Sequence, residues 1–403
     1  MLKTLAAQVK EFKKDSILTP VFMILEVLFE TMIPLLMASI IDKGVETGDI
    51  NHIYKVGAMM GVLALCGLWA GVMGGKYGSR ASTGFARNLR KAMYDNIQDF
   101  SFSNIDKYST AGLITRLTTD VTNLQNAYQM LLRMFTRAPA SLICAMIMAF
   151  TIHAELASIY LIAVIALGGC LILIMSRAVK YFQKVFQKYD DLNASVQENI
   201  TGIRVVKAYV REEYENQKFF KAAENVYKMF VKAENIIVAN MPLMMFTVYA
   251  CILGLSWLGA KMIVVDDLTT GELMSLLTYC MNIMMSLMML SMIFVMVTMS
   301  FASAQRVTEV LNEKSDLQNP ENPVMEVKDG SIVFNHVDFA YKKSSTEPVL
   351  KDIHVEIHSG ETIGIIGGTG SAKSSLVNLI SRLYDVTSGQ VKVGGVDVRD
   401  YDM

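Results

Sequence analysis

An α-helical membrane protein of six spans, followed by the N-terminal part of an α/β domain, is the fold class this sequence predicts. Three observations predict it. Six apolar stretches of membrane-crossing length fill residues 17–300. Two long, basic, helix-rich loops separate them at alternate intervals. After residue 328 the pattern changes to short alternating strands, which lead into a glycine-rich loop and a helix.

Composition supports the first observation. Hydrophobic residues make up 52% of the chain and charged residues 19%, against about 45–50% and about 25% in soluble domains. The mean hydropathy is +0.36. The apolar residues gather between Ile17 and Phe301, and the last eighty or so residues have ordinary globular composition. The net charge is −1, and no region carries the basic excess of a nucleic-acid binder. All five cysteines, Cys66, Cys144, Cys170, Cys251 and Cys280, lie inside apolar blocks and lack metal-ligand spacing. They read as small buried hydrophobes.

The N-terminal MLKTLAAQVKEFKKDS lacks the short apolar core and small-residue cleavage site of a signal peptide. Leu2, Leu5, Val9 and Phe12 recur at helical spacing among Lys3, Lys10, Lys13 and Lys14. Residues 1–16 are therefore expected to form an amphipathic helix on the anionic cytoplasmic face of the membrane, in contact with its lipids.

The spans run approximately over Ile17–Ile41, Val56–Gly74, Ala138–His153, Ser158–Met175, Met241–Val265 and Leu273–Ser300. The third and fourth read as a tight helical hairpin broken near Glu155. Connections around Asp42–Asn51, His153–Ala157 and Asp266–Glu272 are short, and basic residues do not outnumber acidic ones there. The other two, at about 76–137 and 176–240, are long and helical. Basic residues cluster near their ends, including Lys76, Arg80, Arg133, Arg177 and Lys180, so both long loops and both termini are expected on the cytoplasmic side. At about 1.5 Å per residue, Lys76–Phe100 would carry the second span nearly 40 Å into the cytoplasm. Phe85, Leu89, Met93 and Ile97 give it a packing stripe. Loops this large imply that something docks on them, or that they form a soluble subdomain of their own.

Glu26 and Glu30 stand one helical turn apart inside the first span. Carboxylates at that depth must face a polar interior. Two readings stay open: they line a cargo cavity and favour cationic or amphipathic molecules, or they hydrogen-bond to neighbouring helices. The chain has 29 methionines, dense between Met281 and Met292, which suit either membrane packing or an adaptable binding surface.

Residues 17–310 thus form a membrane domain, 311–328 a linker containing Gln318–Val324 (QNPENPV), and 329–403 the first part of a second domain. Strands are expected at Ser331–Val337, at Ile353–Ile357 and, as a short buried strand, at Thr362–Ile366. Gly367–Ser375 (GGTGSAKSS) comes at once after them and leads into a helix over Ser375–Leu383. Strand, glycine loop and helix are the setting a phosphate-binding loop needs. Gly367, Thr369, Gly370 and Ser371 would turn backbone N–H groups toward phosphates. Lys373 would reach the β- and γ-phosphates of ATP, and Ser374 would help to hold Mg²⁺. Ala372 stands where G-x-x-x-x-G-K-[ST] has its second glycine, with Ser375 closing the segment. A Cβ there is cheap at negative φ and costs on the order of 1 kcal/mol in the left-handed region. Weakened rather than abolished nucleotide binding is expected. Tyr341, in Val337–Lys342 (VDFAYK), is an aromatic at a strand end ahead of the loop and can stack on adenine.

Together these segments resemble the ATP-binding cassette (ABC) exporters, in the half-transporter form where six spans precede one ATPase domain. Pro34–Gly44 (PLLMASIIDKG) is similar to that family's first-span exit. Gly112–Asn123 (GLITRLTTDVTN) and Gln197–Glu212 (QENITGIRVVKAYVRE) are similar to its two cytoplasmic loops, and Leu383–Gly389 (LYDVTSG) to the segment after its phosphate loop. The resemblance implies a P-loop NTPase domain with Walker A at Gly367–Ser375 and adenine stacking by Tyr341. It implies coupling helices near Asp120–Asn126 and Gly202–Ala208, with Asp120, Gly202 and Arg204 as candidates. It further implies alternating access powered by two ATPase domains, hence a second half-transporter as partner, with a heterodimer favoured by Ala372. The family's signature LSGGQ, Walker B carboxylates and switch histidine do not occur after Ser375. The chain is therefore expected to be a fragment with no catalytic residues of its own. A membrane scaffold or regulatory subunit that binds nucleotide without hydrolysing it is the competing expectation. An importer is disfavoured, because importers usually keep spans and ATPase on separate chains.

Overall fold

The computed structural model describes residues 1–341 and 347–403; Lys342, the last residue of the VDFAYK segment, lies outside the described residues. Among the described residues, six helical stretches are long and apolar enough to cross a membrane: Lys10–Val45, Ile50–Gln98, Thr110–Ile152, Ala154–Thr201, Glu212–Val264 and Thr270–Asn312. The chain divides into two compact units. One comprises Phe12–Ser82 and Ala127–Thr298, the other Met1–Glu11, Thr83–Asn126 and Met299–Met403.

The helices, in chain order, are α1 (Leu2–Ala7), α2 (Lys13–Ile40), α3 (Ile50–Gln98), α4 (Phe102–Tyr108), α5 (Thr110–Thr115), α6 (Val121–Ile152), α7 (Ala154–Thr201), α8 (Ile203–Ala208), α9 (Glu212–Val238), α10 (Asn240–Val264), α11 (Thr270–Asn312) and α12 (Lys373–Ile380). The first unit holds the apolar parts of α2, α3, α6, α7, α10 and α11. Its core gathers Leu156 and Tyr160 of α7, Met244 and Leu255 of α10, and Leu276, Tyr279 and Ile283 of α11, all nearly or wholly buried. Hydroxyls link these helices where lipid would offer no partner. Tyr160 donates to the Leu276 carbonyl at 2.8 Å, Tyr279 to the Thr31 carbonyl at 2.7 Å, and Ser275 to the Pro34 carbonyl at 2.6 Å. The hairpin expected near Glu155 turns on His153, the single residue between α6 and α7, whose φ of −151° breaks the helix. Large apolar side chains such as Leu65, Leu68, Ile162, Ile165 and Ile172 point outward and are exposed, as lipid-facing positions are.

In the second unit, the buried stripe of α3 is Phe85, Leu89 and Met93. The N-terminal segment packs on it. Leu5 is buried, Asn88 donates to the Gln8 carbonyl at 3.1 Å, and Glu11 pairs with Arg87. The helix is shorter than the one expected over residues 1–16. Helix α1 covers only Leu2–Ala7, and one side of the segment is held by α3, although Leu2 remains exposed.

The same unit contains an antiparallel sheet of β1 (Ile332–Phe339), β2 (Leu350–Ile357), β3 (Ser388–Val393) and β4 (Val396–Asp397), in the order β2-β1-β3-β4. Phe334, Val337 and Phe339 of β1 and Val391 of β3 meet Leu379 of α12 in its core. The strand expected at Thr362–Ile366 does not form. Among the described residues the segment is unpaired, and Ile363, Ile365 and Ile366 are exposed, Ile366 to 98%. A buried parallel strand needs neighbours on both sides for its N–H and C=O groups, and the four antiparallel strands do not provide them.

Candidate functional site

The glycine-rich loop runs from the unpaired Thr362–Ile366 segment into α12, which begins at Lys373, two residues earlier than the sequence suggests. Gly370 has φ +88°, and nothing lies within 4 Å of where a Cβ would stand on it or on Gly368, so the loop is open around its backbone. Ser371 N–H bonds the Gly368 carbonyl at 3.3 Å. Ala372 is the N-cap of α12 with φ 61° and ψ 20°, a left-handed conformation that glycine adopts without strain. This is the costly one of the two cases posed by the sequence.

Lys373 folds back over the loop. Its ammonium donates to the Gly367 and Gly368 carbonyls, each at 2.8 Å, and to Ser371 Oγ at 3.3 Å. All three of its donors are thus engaged by the loop. Thr369 lies in the turn of the loop, and Ser374 is exposed in the first turn of α12. Ser375 is buried and bonds the Tyr341 hydroxyl at 2.7 Å. Tyr341 sits just beyond β1, is 45% exposed, and contacts Phe339 at 4.8 Å and Tyr384 at 5.1 Å between ring centroids. The structure therefore brings Tyr341, the loop and α12 together. Backbone amides, an ammonium and a helix N-terminus form a donor set that fits a polyphosphate, and an exposed aromatic stands beside it.

Asp120, expected beside a coupling helix, is buried. It ends a π turn over Arg116–Asp120, is 1% exposed, and accepts from Arg306 Nε at 2.8 Å and from Ser303 Oγ at 2.9 Å. It fastens the turn before α6 to α11 inside the unit. The part of the first long loop that meets the sheet-bearing segment is α4, which the sequence left unassigned. Asp106 accepts a hydrogen bond from the Tyr384 hydroxyl at 2.8 Å, and Phe102 packs on the Tyr384 ring. The signal that could have found α4 is the capping box of Ser101 and Asn104, which marks a new helix start. Helix α4 is also held by Glu313, just past α11, which accepts from Lys107 at 2.8 and 2.9 Å, from Tyr108 at 2.7 Å and from Asn104 at 3.1 Å. Burial works against the Glu313 carboxylate, but the Lys107 and Tyr108 hydrogen bonds outweigh it and hold its pKa below the usual value.

Gly202 links α7 to α8 at the tip of the second long loop, where Arg204 is exposed. Ile203, Val205, Tyr209 and Val210 are exposed there as well, so this tip presents apolar side chains. In the membrane unit, Glu26 and Glu30 share one partner on α6. Arg137 Nη1 bonds Glu26 Oε1 at 2.6 Å, and Nη2 bonds Glu30 Oε2 at 2.8 Å. Gly71 of α3 faces the pair, and a Cβ there would lie 3.1 Å from the Glu26 carboxyl. This geometry is that of the helix-bonding reading, with Glu30 still half-exposed.

Comparison with known proteins agrees with these features. The family model described as ABC transporter transmembrane region matches residues 16–288, and that described as ABC transporter matches residues 350–403. An uncharacterized ABC transporter ATP-binding protein of Bacillus subtilis is 31% identical over 380 residues, covering 94% of this chain and 66% of that protein. An uncharacterized ABC transporter ATP-binding protein of Mycobacterium bovis is 32% identical over 407 residues, covering 100% of this chain and 69% of that protein. An ATP-dependent lipid A-core flippase of Syntrophus aciditrophicus is 28% identical over 324 residues, covering 78% of this chain and 52% of that protein. The chain spans about two thirds of the length of the first two relatives. With a membrane region and the start of an ATP-binding domain joined in one chain, it belongs to the ABC transporter family.

Proposed function

We propose that the chain is a subunit of an ATP-driven exporter that moves amphipathic small molecules, lipids or peptides across the cytoplasmic membrane by alternating access. The observation that carries this reading is the open loop Gly367–Ser375 capped by Lys373, joined in one chain to six apolar helices of the ABC type. Bound ATP would supply the free energy of its terminal phosphoanhydride, with Mg²⁺ as its counter-ion. The chain's own residues bind and orient. Loop amides and Lys373 hold the phosphates, Ser374 reaches the metal, and Tyr341 takes the adenine ring. To do so, the Lys373 ammonium leaves the carbonyls of Gly367 and Gly368.

Residues 17–310 act as the cargo path, 311–328 as the linker and 329–403 as the nucleotide-binding part. Asp120 serves as a strut, while α4 and the Gly202–Ala208 tip are the surfaces that press on ATPase domains. The exposed apolar tip supports a second half-transporter as partner, and the strained Ala372 supports an unlike one. Basic residues at the inner span ends support cytoplasmic termini. Relatives named as ATP-dependent lipid A-core flippases support an amphiphile as cargo. Glu26 and Glu30 set two carboxyls against the one guanidinium of Arg137, which supports cargo with a cationic group.

Equilibrium titration of the full-length protein with MgATP tests the nucleotide site. Saturable binding that Lys373→Ala weakens at least tenfold is expected, since charge-assisted contacts to phosphate are lost. Binding indifferent to that substitution would remove the loop from the nucleotide site. The competing reading, a regulatory subunit that binds without hydrolysis, predicts the same binding but no transport.

A further inference from the structure

We propose that Tyr384 is a positioning residue that carries the state of the adenine-contacting Tyr341 to helix α4. The inference rests on the reading of Tyr341 and the glycine loop as an ATP site.

Tyr384 comes after α12 and a tight turn. Arg382 holds that turn with φ 52° and a side chain only 8% exposed, its guanidinium on Asp385 at 3.1 Å and on the Gln318 carbonyl at 3.1 Å. The turn presents the Tyr384 ring between two partners far apart in sequence. On one side the ring meets Tyr341 at 5.1 Å and 90°, and Phe339 at 5.7 Å. On the other side its hydroxyl donates to Asp106 Oδ2 at 2.8 Å, and the ring packs against Phe102 at 6.2 Å. One side chain thus touches both the proposed adenine platform and the helix proposed to transmit motion.

Edge-to-face ring pairs depend on orientation, so a change in the angle of Tyr341 changes the contact with Tyr384. Tyr341 is 45% exposed, and among the described residues it is held by its hydroxyl bond to Ser375 and by its ring contacts with Phe339 and Tyr384, so a base stacked on its open face acts on those contacts. That bond joins the platform to α12, the helix that leads away from the phosphate loop. A hydroxyl-to-carboxylate hydrogen bond is short and strong, so displacement of Tyr384 is felt at Asp106. Burial, reinforced by the bond to Asp106, pushes the Tyr384 phenol up to about 12, so it remains a donor throughout the physiological range. Linkage makes the coupling reciprocal: whatever nucleotide does to α4, α4 does to nucleotide affinity. The plainer alternative is that Tyr384 only fills space between aromatic neighbours.

Two substitutions in the full-length protein separate these readings. Tyr384→Phe keeps the ring and removes the hydroxyl, and Asp106→Ala removes the acceptor at an exposed position of α4. Two quantities are read: affinity for a fluorescent MgATP analogue, and amide hydrogen exchange of Phe102–Tyr108 with and without a non-hydrolysable analogue. In the unaltered protein, nucleotide is expected to change exchange in α4. In Tyr384→Phe that change should fall by about three- to tenfold, the scale of one hydrogen bond, with saturable binding retained and affinity shifted by no more than the same factor, as linkage requires. Asp106→Ala should match it, and the double variant should be no worse than either single one. A full α4 response in Tyr384→Phe, or effects that add in the double variant, would overturn the relay and leave the nucleotide site standing. Failure of the unaltered protein to bind the analogue would overturn the site itself, and the relay with it.

Discussion

At position 372 a methyl group meets a backbone that favours glycine. The left-handed conformation of Ala372 carries about 1–2 kcal/mol of strain, while the neighbouring Gly370 takes its positive φ freely. Ala372→Gly removes the Cβ and loses part of that gain to the greater freedom of the unfolded chain. The full-length protein is therefore expected to bind MgATP as it stands, and Ala372→Gly to tighten binding by up to about fivefold, as about 1 kcal/mol allows. Calorimetric titration of both proteins checks this. No binding until glycine is restored would mean that the alanine disables the loop. The motif was legible in the sequence because its chemistry lies in residue types at fixed spacing. The sign of φ at Ala372 was not, since it depends on how the loop turns into α12. The posture of Lys373 was equally hidden, because it is set by two carbonyls of its own loop.

Helix α4 shows where sequence reading loses its grip on an element. Its seven residues are too few for a periodic signal, and its place rests on partners more than two hundred positions away. The likeness to known loops points to Asp120, a charged residue in a polar run, and does not reveal its burial. The fold uses that residue as a buried strut to Arg306 and Ser303. Long helices were legible for the opposite reason, since twenty apolar residues in succession leave the backbone no alternative in lipid. The Thr362–Ile366 segment reads as a strand, but strand formation belongs to the neighbours as much as to the segment.

The attachment of α4 to the end of α11 gives a prediction at this scale. Glu313, with its pKa held below the ordinary value, contributes stability that is present above about pH 4.3 and lost as pH falls through its folded pKa. Lys107 is shifted upward, first by its bond to Glu313, so its contribution is lost only as pH rises past the ordinary lysine range. Glu313→Gln should lower the thermal midpoint at pH 7 by a few degrees, roughly 1 kcal/mol. It should also flatten the loss of stability between about pH 5 and pH 3. A variant that loses stability with acid as steeply as the unaltered protein would show that the Glu313 contact does not matter.

For the molecule as a whole, the number of spans, their hairpin and the change to an α/β texture could all be read from hydrophobic pattern alone. Cargo could not. The two carboxyls of the first span suggest a cationic molecule, and the structure adds Arg137 between them, one guanidinium bonded to both. Pairing of that kind depends on which helices touch, which periodicity does not encode. The central question is whether the nucleotide site drives movement through the spans or only senses nucleotide. The direct measurement is uptake of a fluorescent amphipathic cation into inside-out vesicles containing the full-length protein and its partner subunit. Uptake that requires MgATP and is abolished by Lys373→Ala is the predicted result. Nucleotide binding without any MgATP-dependent uptake, for this cation or for lipid and peptide cargo, would contradict an ATP-driven exporter.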